Sequence, residues 1–326
     1  MNLSLESRFL ELWIGKLQSV KGMSVIPLCS DVIYDAIADP KNLIVEGNTT
    51  YGQMRFRNES DKVSIVPANF MTIVKSRVQD HAMSSGGFVE SATRQSFDNA
   101  CCIQSSQSGY IKEGMESEFN VLPLSLRGSL TASKRQTKKY DKLWGDIEQF
   151  NKNVTARSGA HLEYFFKEYK DELDEFIMEF EPVENQVGAL IFFGNDLVGV
   201  EIAPTYTFWE QSWKWLIRGC YGSEFIRQVK LGNTFEALQM PEIDVQMGIE
   251  QLEEVVDAYI ASTTKQLADE LSGQWKMASS VYQQKQDKVM AFIRTDTKVG
   301  DVMFINEKPV YISIYNKSID KRNKVR

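Results

Sequence analysis

Hydrophobic and polar positions change their period along the chain, and the N-terminal third mostly favours short strands. Apolar residues at helical spacing predict a helix over residues 4–17, which ends at Gly22. From there to residue 125, β-rich runs alternate with breakers such as Gly86-Gly87. The spacing of these runs favours a sandwich or a barrel-like sheet. The predicted strands are Leu43–Glu46, Tyr51–Phe56, Val63–Val66, Asn69–Val74, Phe88–Ser91 and Ala100–Gln104.

The C-terminal half alternates amphipathic helices with strand pairs. Apolar stripes predict helices over residues 159–180 and 248–268, and a capping box at Thr207–Glu210 opens another. Hairpins are predicted at Gly194-Asn195-Asp196 and at Asn306-Glu307-Lys308, and the two could pair within one sheet. The fold class is therefore α+β, with a β-rich N-terminal half and a C-terminal half of amphipathic helices on an antiparallel sheet. Further strands are predicted at Trp275–Tyr282 and Lys288–Arg294.

Composition suggests where the chain divides. Residues 1–125 are predicted to form a domain with an N-terminal helix and β-rich remainder, and residues 144–316 an α+β domain. Between them, residues 126–143 are polar and basic, which predicts a linker or surface loop. Residues 317–326 are predicted to be a basic, flexible tail.

Charge and hydropathy exclude several classes of protein. The 326 residues carry 37 basic and 44 acidic side chains and a net charge of −7, which argues against nucleic-acid binding. No apolar run reaches the roughly 20 residues that a membrane-spanning helix needs. Charged residues interrupt the apolar N-terminal pattern, unlike a signal peptide. We therefore expect a cytoplasmic protein.

The metal and cofactor motifs that sequence reveals best are missing. The spacing of Cys29, Cys101, Cys102 and Cys220 fits no zinc motif, and the chain has only two histidines. The phosphate-binding P-loop, the Rossmann glycine pattern, the nucleophile elbow and the zincin motif do not occur. We predict no metal and no cofactor, and buried free thiols.

Hydrogen-bonding side chains concentrate in residues 75–81 and 100–110 of the β-rich half. Asp80 could orient the imidazole of His81 as a general base. Because side chains alternate along a strand, one of the adjacent Cys101 and Cys102 is expected to face outward. Nearby positive charge would activate an outward thiolate. The alternatives are a buried thiol, a surface histidine and a polar loop. The candidate ligand-binding residues here are Lys75, Arg77, Gln79, His81, Cys102 and Gln104, and the catalytic candidates are Asp80, His81 and Cys102.

A set of loose motifs runs in register over residues 20–316. Residues 58–63 lead to Lys75–His81, and Cys102-Ile103-Gln104 begins a segment of the type C-V-E-x-G-R-W, with Gln104 in place of the glutamate. Val187-Gly188-Ala189 and Gly199-Val200-Glu201 follow as a strand pair, then Phe208–Gly219 and Val302–Ile314. These motifs resemble the ARPP-type domain family, which is named for association with ADP-ribosylglycohydrolases and with rhodanese/phosphatase-superfamily proteins.

The resemblance implies a link to ADP-ribose or NAD metabolism, and it carries Gln79, Cys102 and Glu201 over as site residues. Three functions stay open. The first is a binding or regulatory protein for a small polar ligand, nucleotide- or ADP-ribose-related, or for a partner protein. The second is an enzyme on an ADP-ribose- or NAD-related or nucleotide substrate. The third is an assembly protein, with homo-oligomer contacts through Trp215, which lies off the apolar face of its helix, and a basic loop at residues 134–142.

Overall fold

The computed structural model describes residues 5–47, 50–74, 78, 80–105, 107–112, 115, 117–132, 141–238, 276–277, 282–285, 287–294 and 297–317. The helix predicted over residues 248–268, residues 134–140 of the predicted basic loop 134–142 and all but the first residue of the predicted tail lie outside these ranges. Most of the predicted strand Trp275–Tyr282 also lies outside them.

Strands and helices are mixed, which confirms the α+β class. The strands are β1 Trp13–Ile14, β2 Gln18–Val20, β3 Met23–Cys29, β4 Leu43–Glu46, β5 Met54–Asn58, β6 Ser64–Val66, β7 Phe70–Val74, β8 His81–Met83, β9 Gly87–Val89, β10 Arg94–Phe97, β11 Ala100–Cys102, β12 Ser117–Val121, β13 Asp141–Lys142, β14 Gln186–Phe193, β15 Asp196–Ile202, β16 Lys276–Met277, β17 Tyr282–Lys285, β18 Lys288–Arg294, β19 Lys298–Ile305 and β20 Lys308–Asn316.

One short helix lies at the N-terminus before β1, and most of the others lie in the C-terminal half. The helices are α1 Glu6–Phe9, α2 Leu124–Ala132, α3 Trp144–Asn151, α4 Leu162–Glu168, α5 Lys170–Glu179, α6 Tyr206–Lys214, a π-helix at Trp215–Gly222 and α7 Ser223–Lys230, with a 3-10 turn at Pro40–Asn42. Within the described ranges, no helix is long and apolar enough to cross a membrane.

The largest sheet, which we call the main sheet, has ten antiparallel strands in the order β1-β3-β14-β15-β20-β19-β18-β16, with β2 beside β3 and β17 beside β18. The hairpin β14–β15 pairs through β15 with the hairpin β19–β20, as the similar patterns of these segments predict. Strands from both ends of the chain therefore meet in one sheet. The predicted division of the chain at residues 126–143 stays a prediction.

Both faces of the main sheet are buried. Alternate residues of β14, such as Leu190 and Phe192, pack in one apolar cluster, and Ala189 and Ile191 pack in another. The second cluster, which includes the helices α3 to α7 and the π-helix, is the larger. A sheet covered on both faces gives near-continuous apolar runs, which is the pattern seen in β14 and β20.

The β-rich N-terminal half is confirmed: β1 to β3 belong to the main sheet, and β4 to β13 form three smaller sheets. Their orders are β10-β5-β4, β6-β9 and β12-β7-β8-β11-β13, and the described strands form no closed barrel. We call the last of them the small sheet. Trp215 packs edge-on against Phe70 and Phe119 of this sheet. Trp215 therefore joins the π-helix to the small sheet within one chain. The assembly hypothesis instead required Trp215 to face outward and contact a second copy of the chain.

Three local predictions are wrong. The helix predicted over residues 4–17 is only α1, because residues 13–14 and 18–20 pair with β3 instead. The helix predicted over residues 159–180 is two helices that meet at Tyr169. The segment from residue 126 was predicted to be a loop, but its first residues belong to α2, in which Leu126 and Leu130 are buried.

Candidate functional site

Two of the predicted catalytic candidates, His81 and Cys102, come together in the small sheet, and the third, Asp80, directly precedes His81 in the sequence. His81 of β8 lies opposite Thr72 of β7 and opposite Cys102 of β11. Directly opposite residues on antiparallel strands share a face, with Cβ atoms about 5 Å apart. Side chains 21 positions apart in the sequence are therefore neighbours.

Both cysteines of β11 are buried, so the expectation that one of them faces outward is wrong. The Sγ of Cys102 donates to the carbonyl oxygen of Gln104 at 3.2 Å. Cys29 and Cys220 are also buried, and all four cysteines are free thiols, as predicted. A buried thiol that donates to a carbonyl is shielded from reaction with solvent.

Asp80 lies just before β8 and is almost fully buried. Its Oδ1 accepts from the backbone N–H of Val74 at 2.6 Å. Gln107 makes a double contact with it: the Asp80 N–H donates to Gln107 Oε1 at 3.0 Å, and Gln107 Nε2 donates to Asp80 Oδ2 at 3.3 Å. Burial raises the pKa of Asp80 to about 6, and the contacts with Val74, Gln104 and Gln107 oppose that rise.

Gln104 follows β11 and is completely buried. Its amide lies near enough to Asp80 to favour the charged carboxylate, yet neither amide atom forms a well-aligned hydrogen bond with the described residues. Gln104 pairs with His161, at the start of α4, in an isolated bridge. The next residue, Ser105, bonds the His161 ring at 2.9 Å between Oγ and Nε2. We call Asp80, His81, Cys102, Gln104 and Gln107 the small-sheet cluster.

Three sequence candidates are not placed by the structure: Lys75, Arg77 and Gln79 lie outside the described residues. Glu201 lies in the main sheet, and its hydrogen-bond partners among the described residues are not members of the small-sheet cluster. Its Oε1 accepts from Arg127 Nη1 at 2.7 Å and from the Tyr221 hydroxyl at 2.7 Å. The structure therefore separates Glu201 from the other candidates.

Arg127, on α2, is the centre of this second group and was missed by the sequence prediction. Besides Glu201, its guanidinium donates to Ser313 Oγ, to Cys220 Sγ at 3.3 Å and to Asn69 Oδ1 at 3.4 Å. It also stacks 4.1 Å from the ring centroid of Tyr315. Every one of these groups is buried. We call Arg127, Glu201, Tyr221, Asp301 and Ser313 the main-sheet cluster.

Local structure brings Tyr221 to Glu201. Residues 215–222 form a π-helix, an uncommon form often found where a side chain must be aimed at a site. On β15, Gly199 lies two residues before Glu201, and a Cβ there would overlap the Tyr221 hydroxyl. The missing side chain at Gly199 therefore leaves the space in which the Tyr221 hydroxyl reaches Glu201.

The described residues contain no group of three or more His, Cys, Asp or Glu side chains that could hold a metal ion. The two clusters offer hydrogen-bond donors and acceptors instead. The small-sheet cluster presents a carboxylate, an imidazole and two carboxamides, which are groups that bind polar ligands.

Comparison with known proteins identifies a family, but no individual relative or solved structure. The family model described as the ARG and Rhodanese-Phosphatase-superfamily-associated Protein domain matches residues 11–258. No curated protein and no solved structure matches the chain. The matched range contains both Asp80 and Glu201, and it ends before β18, β19 and β20, which complete the main sheet.

Proposed function

The chain belongs to the ARG and Rhodanese-Phosphatase-superfamily-associated Protein domain family, and from that premise we propose that it is a binding or regulatory protein for a small polar ligand of the nucleotide or ADP-ribose type. The proposed site is the small-sheet cluster. The observation that carries the proposal is the double contact between Asp80 and the carboxamide of Gln107.

This contact has the hydrogen-bond pattern of a nucleobase complex. Asp80 offers its backbone N–H as a donor and its Oδ2 as an adjacent acceptor, and the carboxamide supplies the complementary acceptor and donor. A nucleobase edge presents the same neighbouring acceptor and donor, as does the carboxamide of nicotinamide. Gln107 is only partly buried, whereas Asp80 is almost fully buried. A ligand could therefore replace Gln107 from the solvent side.

Neighbouring residues extend the proposed site. The buried amide of Gln104 lies beside Asp80, and its donor and acceptor atoms have no hydrogen-bond partner among the described residues. Lys75 and Arg77 lie shortly before Asp80 in the sequence. We propose that they, together with Gln79, bind the phosphates of the ligand. His81 and Cys102 lie opposite each other on the adjacent strands β8 and β11. We leave Glu201 out of this site because its contacts are with Arg127 and Tyr221.

Calorimetric titration with AMP, ADP-ribose, NAD and nicotinamide tests the proposal, with ribose 5-phosphate as the ligand that lacks the matching edge. Asp80→Asn should weaken binding of AMP by about tenfold or more, because a hydrogen bond to a charged group is lost. Gln107→Ala should tighten binding several-fold, because it removes the internal competitor. Asp98→Asn, on an exposed turn, is the matched control.

Two results would contradict the proposal. One is the absence of any heat or thermal shift across the whole ligand panel. The other is wild-type affinity in Asp80→Asn together with weaker binding in Gln107→Ala, which would place the ligand on Gln107 itself.

The enzymatic alternative is favoured only by the pairing of His81 with Cys102 across β8 and β11. It predicts turnover of one of these ligands that is lost in His81→Ala and Cys102→Ala. Hydrolysis products are followed by chromatography, and full activity in both variants would reject these roles. A cytoplasmic location also stays a prediction from the sequence, to be tested by cell fractionation.

A further inference from the structure

A row of polar side chains crosses the middle of the larger apolar layer. Glu201 of β15, Ser313 of β20 and Asp301 of β19 are successive register partners. They therefore share one face of the main sheet. Ala189 lies opposite Glu201 at one end of the row, and Phe292 lies opposite Asp301 at the other. Polar groups so placed need internal partners, since water is excluded.

Glu201 and Ser313 have such partners, but among the described residues Asp301 has none. Arg127 donates to both Glu201 and Ser313, and Tyr221 donates to Glu201. Both carboxyl oxygens of Asp301 and the Oε2 of Glu201 lack a hydrogen-bond partner among the described residues. All are essentially inaccessible to solvent.

The charges around Asp301 do not balance if both carboxyls are ionised. α2 contributes one guanidinium, Arg127, and β15 contributes Glu201. The π-helix brings Tyr221 and Cys220, and β20 brings Tyr311, all with a pKa raised by burial and therefore neutral. The strand on the other side, β18, places the apolar Phe292 opposite Asp301. Counting the described residues, one cation would then face two anions inside a buried apolar layer, which is strongly unfavourable.

We propose that the main-sheet cluster is a proton-binding site, in which Asp301 carries one proton while Arg127 and Glu201 form the single balanced ion pair. The site is separate from the small-sheet cluster, so its test does not depend on any ligand. Burial raises the pKa of Asp301 to about 7; Arg127 opposes the rise, and Glu201 adds to it. Near neutral pH the folded chain therefore exchanges this proton.

The sign of the effect follows from linkage. The pKa of Asp301 is raised from its ordinary 3.8, so between pH 4 and pH 7 the folded chain binds the proton and the unfolded chain does not. Stability from this group is present at low pH and is lost as the pH rises through that window. Within that window one proton is released on unfolding, so each rise of one pH unit increases the equilibrium constant of unfolding about tenfold.

Urea denaturation from pH 4.5 to pH 8.5 tests the site in the full chain. Compared with Asp301→Asn, the wild type should show an added tenfold rise per pH unit that levels off near pH 7. Asp35→Asn, at an exposed position, is the control and should follow the wild type. Parallel curves for the wild type and Asp301→Asn would overturn the proposal. So would a wild-type curve that depends on the concentration of Na⁺ or K⁺ instead of pH, since a cation would then balance the cluster.

A second measurement does not require the Asp301 variant to fold. Infrared difference spectra of the wild type should show a buried protonated carboxyl that disappears above pH 7. In Glu201→Gln the same transition should move to lower pH, because one negative neighbour is gone and Arg127 is released toward Asp301. An unmoved transition, or no protonated carboxyl at pH 6, would overturn the assignment.

Discussion

The small-sheet cluster and the main-sheet cluster both bury carboxyl groups, but they satisfy them with different partners. In the main sheet, the charge of Glu201 is balanced by the charge of Arg127 at 2.7 Å. In the small sheet, Asp80 accepts hydrogen bonds from neutral groups, the backbone N–H of Val74 and the carboxamide of Gln107, and the nearby amide of Gln104 is neutral too. Neutral partners hold a carboxylate less firmly than a cation does, so they are easier to exchange.

Access to solvent differs in the same direction. Arg127, on α2, is completely buried and contacts two strands of the main sheet and the π-helix at once. Gln107, which covers Asp80, is partly exposed. We infer that the main-sheet cluster serves the fold and its charge balance, whereas the small-sheet cluster has contacts that a ligand can take over. Three changes test this contrast.

The largest effect is expected from Arg127→Met. It removes the guanidinium that pairs with the buried Glu201 and also opposes the burial-driven rise in the pKa of Asp301, and breaking a buried ion pair in this way costs about 3–5 kcal/mol. The free energy of unfolding in urea at pH 7 is the measurement. Arg55→Met, at an exposed position that contacts Ser96, should change it by less than about 0.5 kcal/mol. A loss as small as the control's would show that the main-sheet cluster does not hold the fold.

A smaller, pH-dependent effect is expected from Asp80→Asn. The pKa of Asp80 is raised from 3.8 to about 6, so the wild type loses stability as the pH rises from about 4 to about 6. The loss is at most about 3 kcal/mol for a shift of this size. The variant should lack this loss, yet retain the part that Asp301 contributes up to pH 7. Urea denaturation at pH 4.5, 6 and 7.5 separates the two carboxyls, and an unchanged pH dependence in Asp80→Asn would contradict the assignment.

Local sequence patterns predicted most of the strands. The runs at Leu43–Glu46 and Lys288–Arg294 coincide with β4 and β18 because alternating or continuous apolar residues, bounded by turns, determine a strand locally. The helix over residues 4–17 failed although its apolar spacing was helical. Its residues from Trp13 onward pair with β3, and tertiary pairing outweighs so weak a local preference.

The site was predictable only in part for a related reason. His81 and Cys102 were both singled out from polar density, but their contact depends on β8 lying beside β11. Arg127 lies in a stretch whose composition predicts a linker, and Asp301 lies in an apolar strand. Neither residue is therefore identified from the sequence. The row of Glu201, Ser313 and Asp301 exists only because β20 lies between β15 and β19, and no local pattern contains that order.

The smallest of the three effects is expected from Gly199→Ala. Its new Cβ would overlap the Tyr221 hydroxyl, so Tyr221 must move away from Glu201, at a cost of about 1–3 kcal/mol for overpacking. Gly145→Ala in α3 is the matched control, because no atom lies within 4 Å of its added Cβ. A helical alanine there should be neutral or stabilise by up to about 1 kcal/mol. Urea denaturation measures both. If Gly199→Ala matches the control, the Tyr221 hydroxyl is not held against Glu201, and the main-sheet cluster is less rigid than its hydrogen bonds imply.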